Sequence, residues 1–207
     1  MCSSDLNALE RRIGGIKSGS GTNVWLLTEA GVKLLHLKDT EKSPRKRFFD
    51  PTPTFMAHTL AVSEVYVRII EICRERQIEH VRTELEPECW RGFTGADRKP
   101  IALKPDLCSV TVNGNYEDNW FLEIDLATES VTVVLDKCRK YALYYASDKE
   151  QKRNGVFPMV VWIVPNPTRK EKLRQSIADC RDLKPKNIFL IITHDELENL
   201  LCVGVVL

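Results

Sequence analysis

The apolar positions follow two repeats, one near 3.6 residues and one of two, and together they lay out an alternation of helices and strands. Asp5 to Arg12 predicts a short helix with Leu6 and Leu9 as its apolar positions. A Gly/Ser tract from Ile13 to Asn23 follows, then the strand Val24-Trp25-Leu26-Leu27. A glycine-rich turn between two short apolar runs predicts a β-hairpin. It is not a phosphate loop, because no GK[ST] follows and the next element is a strand. Thr28 caps a helix over Glu29–Leu35, with Glu29 in its first turn.

The strongest helix is Phe55–Gln77, where Leu60, Ala61, Val65, Ile69 and Ile72 recur at helical spacing and Pro53-Thr54 supplies a start. His80–Glu86 predicts a strand, and Pro87–Pro100 a polar loop. Lys104–Val112 and Asn119–Ala127 predict two strands in hairpin order around Asn113-Gly114-Asn115. Ser130–Ala146 is the next helix, with Val134, Leu135, Cys138, Tyr141 and Leu143 as core candidates. The continuous apolar runs Phe157–Val164 and Ile188–Thr193 read as buried strands. Between them, Arg169–Cys180 is an amphipathic helix. Asp195–Leu201 is a short helix and Val203–Leu207 an edge strand. From Phe55 the order is α-β-β-β-α-β-α-β, which implies an α/β (α+β) fold with a mixed central sheet flanked by helices.

Length and charge narrow the function classes only a little. The 207 residues suit one main domain with a small appendage, divided as 1–40, a basic linker 41–54, and 55–207. Thirty basic against 29 acidic residues give +1, so any basic surface is local. The run Lys42-Ser43-Pro44-Arg45-Lys46-Arg47 is such a place, either a solvated loop or a set of phosphate contacts through Arg45, Lys46 and Arg47. No apolar run is long enough for a membrane span, and no export signal is evident, so a cytoplasmic protein is expected. Seven scattered cysteines without a CxxC pair read as reduced thiols, and four separated histidines give a zinc site no support.

The candidate chemistry lies on the central hairpin. Asp106 follows Pro105 at the start of one strand, and Glu123 and Asp125 sit two apart on the next. Alternation puts Phe121, Glu123 and Asp125 on one face and Trp120, Leu122 and Ile124 on the other. Carboxylates within an apolar strand must be solvated, paired, or holding a cation. A sheet edge with the acids exposed or paired to nearby Lys and Arg is one reading. The other brings Asp106 beside Glu123, where their oxygens would bind Mg²⁺, a hard ion that keeps several waters.

Pro105-Asp106, sixteen residues, then Glu123-Ile124-Asp125 resembles the PD-(D/E)XK nuclease signature, and the order α-β-β-β-α-β is that superfamily's core. The resemblance implies a restriction-endonuclease-like core with Asp106 and Glu123 on the metal. Asp125 takes the place of the family's lysine and would, with Glu129 as the alternative, assist the catalytic set, while Lys137 or Lys140 on the following helix would replace that lysine.

A broader likeness runs through Phe55-Met-Ala-His58, Glu64, Glu86-Pro-Glu-Cys-Trp90-Arg91, Lys104-Pro-Asp106, Trp120 to Ser130, Lys137, Tyr141, Tyr144 and Gly155-Val-Phe-Pro158. Together these resemble the replication-relaxation family of bacterial plasmid and mobile-element proteins. Upstream, Arg11-Arg12-Ile-Gly-Gly15 and Val24 to Gly31 resemble the wing and closing helix of that family's N-terminal winged helix. Asp5–Arg12 would then be the end of a recognition helix, and with about two earlier helices missing the chain is expected either to be a truncated form or to carry the hairpin as a remnant.

This resemblance implies DNA as partner, alongside replication or mobilisation proteins, with a homodimer also compatible. Accessory residues would come from Glu64, Glu84, Glu86, Glu129, Lys140 and Tyr141. Lys137, Lys140, Tyr141 and Tyr144 share one helix face, catalytic in one reading and a Lys stem beside buried rings in the other. Trp90 either stacks on a base or anchors itself on the core. The function expected is DNA processing, by a Mg²⁺-dependent nuclease-like phosphodiesterase or by a degenerate nuclease fold acting as a binding module.

Overall fold

The structure is a computed structural model that describes residues 6–13, 22–35, 52–95 and 98–204. The chain divides into two compact units, Met1–Ala57 and His58–Leu207. The basic residues Arg45, Lys46 and Arg47 lie outside the described residues.

In the first unit, β1 (Leu6–Ile13) pairs antiparallel with β2 (Thr22–Leu27), Leu6 opposite Leu27 and Ile13 opposite Thr22, with an irregularity between Ala8 and Arg12. The hairpin is as expected; the helix over Asp5–Arg12 is not. Eight residues are too few to nucleate a stable helix alone, whereas β2 satisfies the backbone of Leu6–Ile13 as a strand. The reading of this segment as a recognition-helix end is corrected accordingly. α1 (Glu29–Leu35) follows, capped by Thr28, whose Oγ1 accepts from Gly31 N at 3.2 Å.

α2 (Pro53–Arg76) starts at Pro53 with Thr52 as its cap, Thr52 Oγ1 accepting from Phe55 N at 3.3 Å. Val65, Ile69 and Ile72 are buried as their spacing requires, but Leu60 faces solvent. β3 (Glu79–Leu85) comes next. Where a polar loop is expected over Pro87–Pro100, β4 (Arg91–Thr94) and β5 (Pro100–Leu103) form a small antiparallel pair. Its signal was a four-residue alternation, Arg91 and Phe93 buried against Gly92 and Thr94 exposed, too short to stand out among polar residues.

The remaining elements are β6 (Leu107–Asn113), β7 (Tyr116–Ile124), α3 (Val131–Ala146), α4 (Lys149–Asn154), β8 (Met159–Val164), α5 (Pro167–Asp179), β9 (Phe189–Thr193) and α6 (Leu197–Val203). A 3₁₀ turn, His194–Glu196, precedes α6, and α6 runs through Val203, where the start of an edge strand is expected. The residues 205–207 lie outside the described residues.

The central sheet runs β3-β6-β7-β8-β9. β3, β6 and β7 pair antiparallel; β7, β8 and β9 pair parallel, their crossovers made through α3 and α5. It is the expected mixed sheet. Strand alternation splits its side chains between two cores. Trp120, Leu122 and Ile124 of β7 join α2 and α6 on one face. Phe121 joins α3, α5, Phe93 of β4 and Leu103 of β5 on the other. Each fully buried Leu, Ile or Phe contributes about 1.5–3 kcal/mol, and both faces carry several. Among the described residues, no helix is long and apolar enough to cross a membrane.

Candidate functional site

β6 and β7 position the two principal acids. Leu107 stands opposite Leu122, and Asp106 N donates to Leu122 O at 3.2 Å, so Asp106 and Glu123 become neighbours at the same end of the hairpin. Asp106 Oδ2 accepts from Ile124 N at 2.7 Å, which locks its carboxylate across the strand pair. Glu123 points into the face covered by α3 and is 1% exposed.

α3 supplies the counter-charge. Lys137 Nζ contacts Glu123 Oε2 directly and lies 3.8 Å from Asp106 Oδ1. One turn on, the Tyr141 hydroxyl donates to Glu123 Oε1. The helix is launched by Ser130, whose side chain accepts from Val133 N. The spacing of four residues between Lys137 and Tyr141 then sets both on the inner face. Lys140 faces solvent, and Tyr144 turns to Glu150 instead, so the helix face is shared by two networks.

α2 brings a residue the sequence reading left without a role. His58 Nε2 lies 3.3 Å from Asp106 Oδ2. Its signal was present: His58 precedes Val65 by two helical turns, on the stripe that continues through Ile69 and Ile72. Glu64, on a different side of α2, instead lines a cavity of about 500 Å³ with Arg68, His194, Asp195 and Glu198.

Electrostatics follow from burial. Desolvation pushes the Glu123 carboxyl up to about 8, only partly opposed by Lys137. Desolvation works against charged Lys137 too, yet Glu123 and Asp106 more than offset it and hold the ammonium protonated. Asp106 is desolvated but ends below its ordinary value, because His58, Lys137 and the Ile124 N–H all favour the anion. His58 is raised, chiefly by its hydrogen bond to Asp106. Of the two carboxyls around the one ammonium, Glu123 therefore takes up a proton first.

Asp125 is close in sequence but differently engaged. Its Oδ2 accepts from Arg169 Nε at 2.6 Å, and its Oδ1 from Arg169 Nη2 at 3.2 Å and Ala127 N at 2.9 Å. Arg169 also reaches the Glu129 carbonyl at 2.9 Å. Neither contact had a local signal, since Arg169 arrives from α5, 44 residues away. Glu84 belongs to a second buried network: it accepts from Arg91 Nη2 at 2.8 Å, and Arg91 Nε contacts Glu150 at 3.2 Å. Glu86 is exposed, near enough to His58 to favour its charged form.

Among the described residues, no three or more His, Cys, Asp and Glu side chains cluster as metal ligands. The donors that converge are two carboxylates bridged by an ammonium. Two hard oxygen donors with water completing the shell are a set Mg²⁺ accepts, and Lys137 marks where positive charge is already stabilised.

A model of the replication-relaxation family matches residues 4–160. The matched span takes in His58, Asp106, Glu123 and Lys137. The chain matches no curated protein. No solved structure matches it either.

Proposed function

The chain belongs to the replication-relaxation family, and from that membership we propose that it processes plasmid or mobile-element DNA through the Asp106–Glu123–Lys137 site. The reaction is phosphodiester cleavage supported by a divalent cation. The observation that carries this reading is the convergence of three side chains from separate elements, with Lys137 Nζ contacting Glu123 and 3.8 Å from Asp106. The element order α2-β3-β6-β7-α3-β8, paired antiparallel, antiparallel and parallel, supports a restriction-endonuclease-like core. The β1–β2 hairpin followed by α1 is compatible with a wing and closing helix.

Asp106 and Glu123 would hold the cation, Mg²⁺ being the natural choice for oxygen ligands. When bound, it would polarise the phosphodiester and lower the pKa of an attacking water. Lys137 keeps its proton and offers an N–H to the phosphoryl oxygen as negative charge builds there. Tyr141 and His58 orient the two carboxylates, and Asp125 fixes the chain after β7 through Arg169.

A second reading has its own observation. Glu123 is almost wholly buried, and Asp125, in the place of the nuclease lysine, is committed to Arg169. On that reading the fold binds DNA or a protein partner without cutting. Incubating supercoiled plasmid with the protein, with Mg²⁺ or with EDTA, separates the two. Nicked or linear product only with Mg²⁺ supports cleavage; an unchanged plasmid with every divalent cation supports the binding module.

A further inference from the structure

We propose that Trp90 and Lys104 form a platform for an unpaired nucleotide beside the acid site, so that the substrate is single-stranded or locally melted DNA. The proposal rests on the nucleic-acid reading above and specifies the form of the DNA.

A tryptophan that anchors a loop buries its ring. Trp90 does not: it is 40% exposed, against 2% for the interior Trp120 and Trp162. Its ring instead carries a cation, with Lys104 Nζ 3.9 Å from the ring centroid. Lys104 is itself exposed. An aromatic ring with a lysine is the pairing that binds a base by stacking and its phosphate by charge.

The platform is fixed to the site by the backbone. Lys104 precedes Asp106 by two residues. Cys89, next to Trp90, is fully buried, and its Sγ donates to Pro105 O at 3.0 Å. Trp90 and Lys104 are thus each one or two residues from a contact with the Pro105-Asp106 backbone. Further positive charge continues along the same hairpin. Arg98 and Lys99 are exposed at its turn, and Lys149 Nζ reaches Gly92 O at 3.4 Å. Glu86 and Glu88 are exposed just before Trp90, and Lys104, on the ring itself, follows the end of β5. In a duplex each base face is covered by its neighbours, so a flat ring of this kind has a partner only where a base is unstacked.

The test is binding of a fluorescently labelled single-stranded oligodeoxynucleotide and of the matching blunt duplex, both in EDTA. The single strand is expected to bind more tightly. Trp90→Ala should weaken single-strand binding about tenfold, in the range one lost stacked base produces. Lys104→Gln should weaken it and lower the salt slope by about 0.7. Trp90→Phe, which keeps a stacking ring, should retain most affinity. In a Trp25→Phe background it should also abolish most of the tryptophan quenching caused by the strand, which guards against misreading a misfolded Trp90→Ala. Equal binding by Trp90→Ala and wild type, or a preference for duplex, overturns the proposal. Because EDTA removes any cleavage, Trp90-independent binding beside Mg²⁺-dependent cleavage defeats the platform alone. Trp90-dependent binding without any cleavage defeats the cleavage reading alone.

Discussion

Arg169 grips Asp125 with two nitrogens, Nε at 2.6 Å and Nη2 at 3.2 Å, and both side chains are buried. The pair ties the start of α5 to the chain just beyond β7, two residues after Glu123. It also explains how an acid can occupy a place two residues past a candidate metal ligand without adding a third negative charge to the site.

Removing one partner of a buried ion pair leaves the other charge uncompensated. Asp125→Ala is therefore expected to destabilise the protein by about 3–5 kcal/mol, with Asp125→Asn milder because the amide oxygen still accepts. Urea unfolding measures both. An Asp125→Ala protein with unchanged stability but no cleavage would move Asp125 from scaffold to chemistry.

Tyr141 is the second donor to Glu123. Tyr141→Phe deletes that hydrogen bond inside the protein, and the expected loss is about 1–3 kcal/mol. Chemical denaturation of the variant checks it, and a midpoint equal to wild type would mean that Glu123 does not depend on the hydroxyl. Metal-supported cleavage should fall as well, since the carboxylate loses one of its two restraints.

At the far end of the sheet, Glu196 closes a capping box with Thr193, accepting from Thr193 N at 2.8 Å, and pairs with Lys170. The Lys170 ammonium and the Thr193 N–H hold its carboxyl below the ordinary value. A depressed carboxyl stabilises the fold above its unfolded pKa and loses that contribution as pH falls through the folded one. Glu196→Ala should cost about 1 kcal/mol at neutral pH, discounted for its exposure, and the difference should shrink in acid, as the pH falls below the ordinary carboxylate range. Thermal melts of both proteins at neutral and at acid pH test the sign; a gap that widens in acid would refute it.

The sheet and its helices were legible because their patterns are long and regular. β7 shows Trp120, Leu122 and Ile124 in one core and Phe121 in the other, as alternation requires. The Asp106–Glu123 juxtaposition was one of two readings the sequence left open, and the register of β6 on β7 decides between them. What the chain order hides are partners that arrive from afar. Arg169 meets Asp125 across 44 residues and Arg91 meets Glu150 across 59, with no local repeat to announce either. His58 and Glu64 lie about 120° apart on one helix. Choosing the one that faces Asp106 required knowing which side of α2 rests on the sheet. The β1 segment misled for the opposite reason: Leu6 and Leu9 suit a helix, and only pairing with Thr22–Leu27 makes it a strand.

The most direct test compares wild type, Asp106→Asn, Glu123→Gln and Lys137→Met in Mg²⁺-dependent plasmid cleavage, with melting curves to show that each variant is folded. The expected result is cleavage by wild type and a loss of at least about 100-fold in each folded variant, the scale on which removing one stabilising group acts. Cleavage that persists in folded Asp106→Asn and Glu123→Gln proteins would contradict the assignment of the reaction to this site.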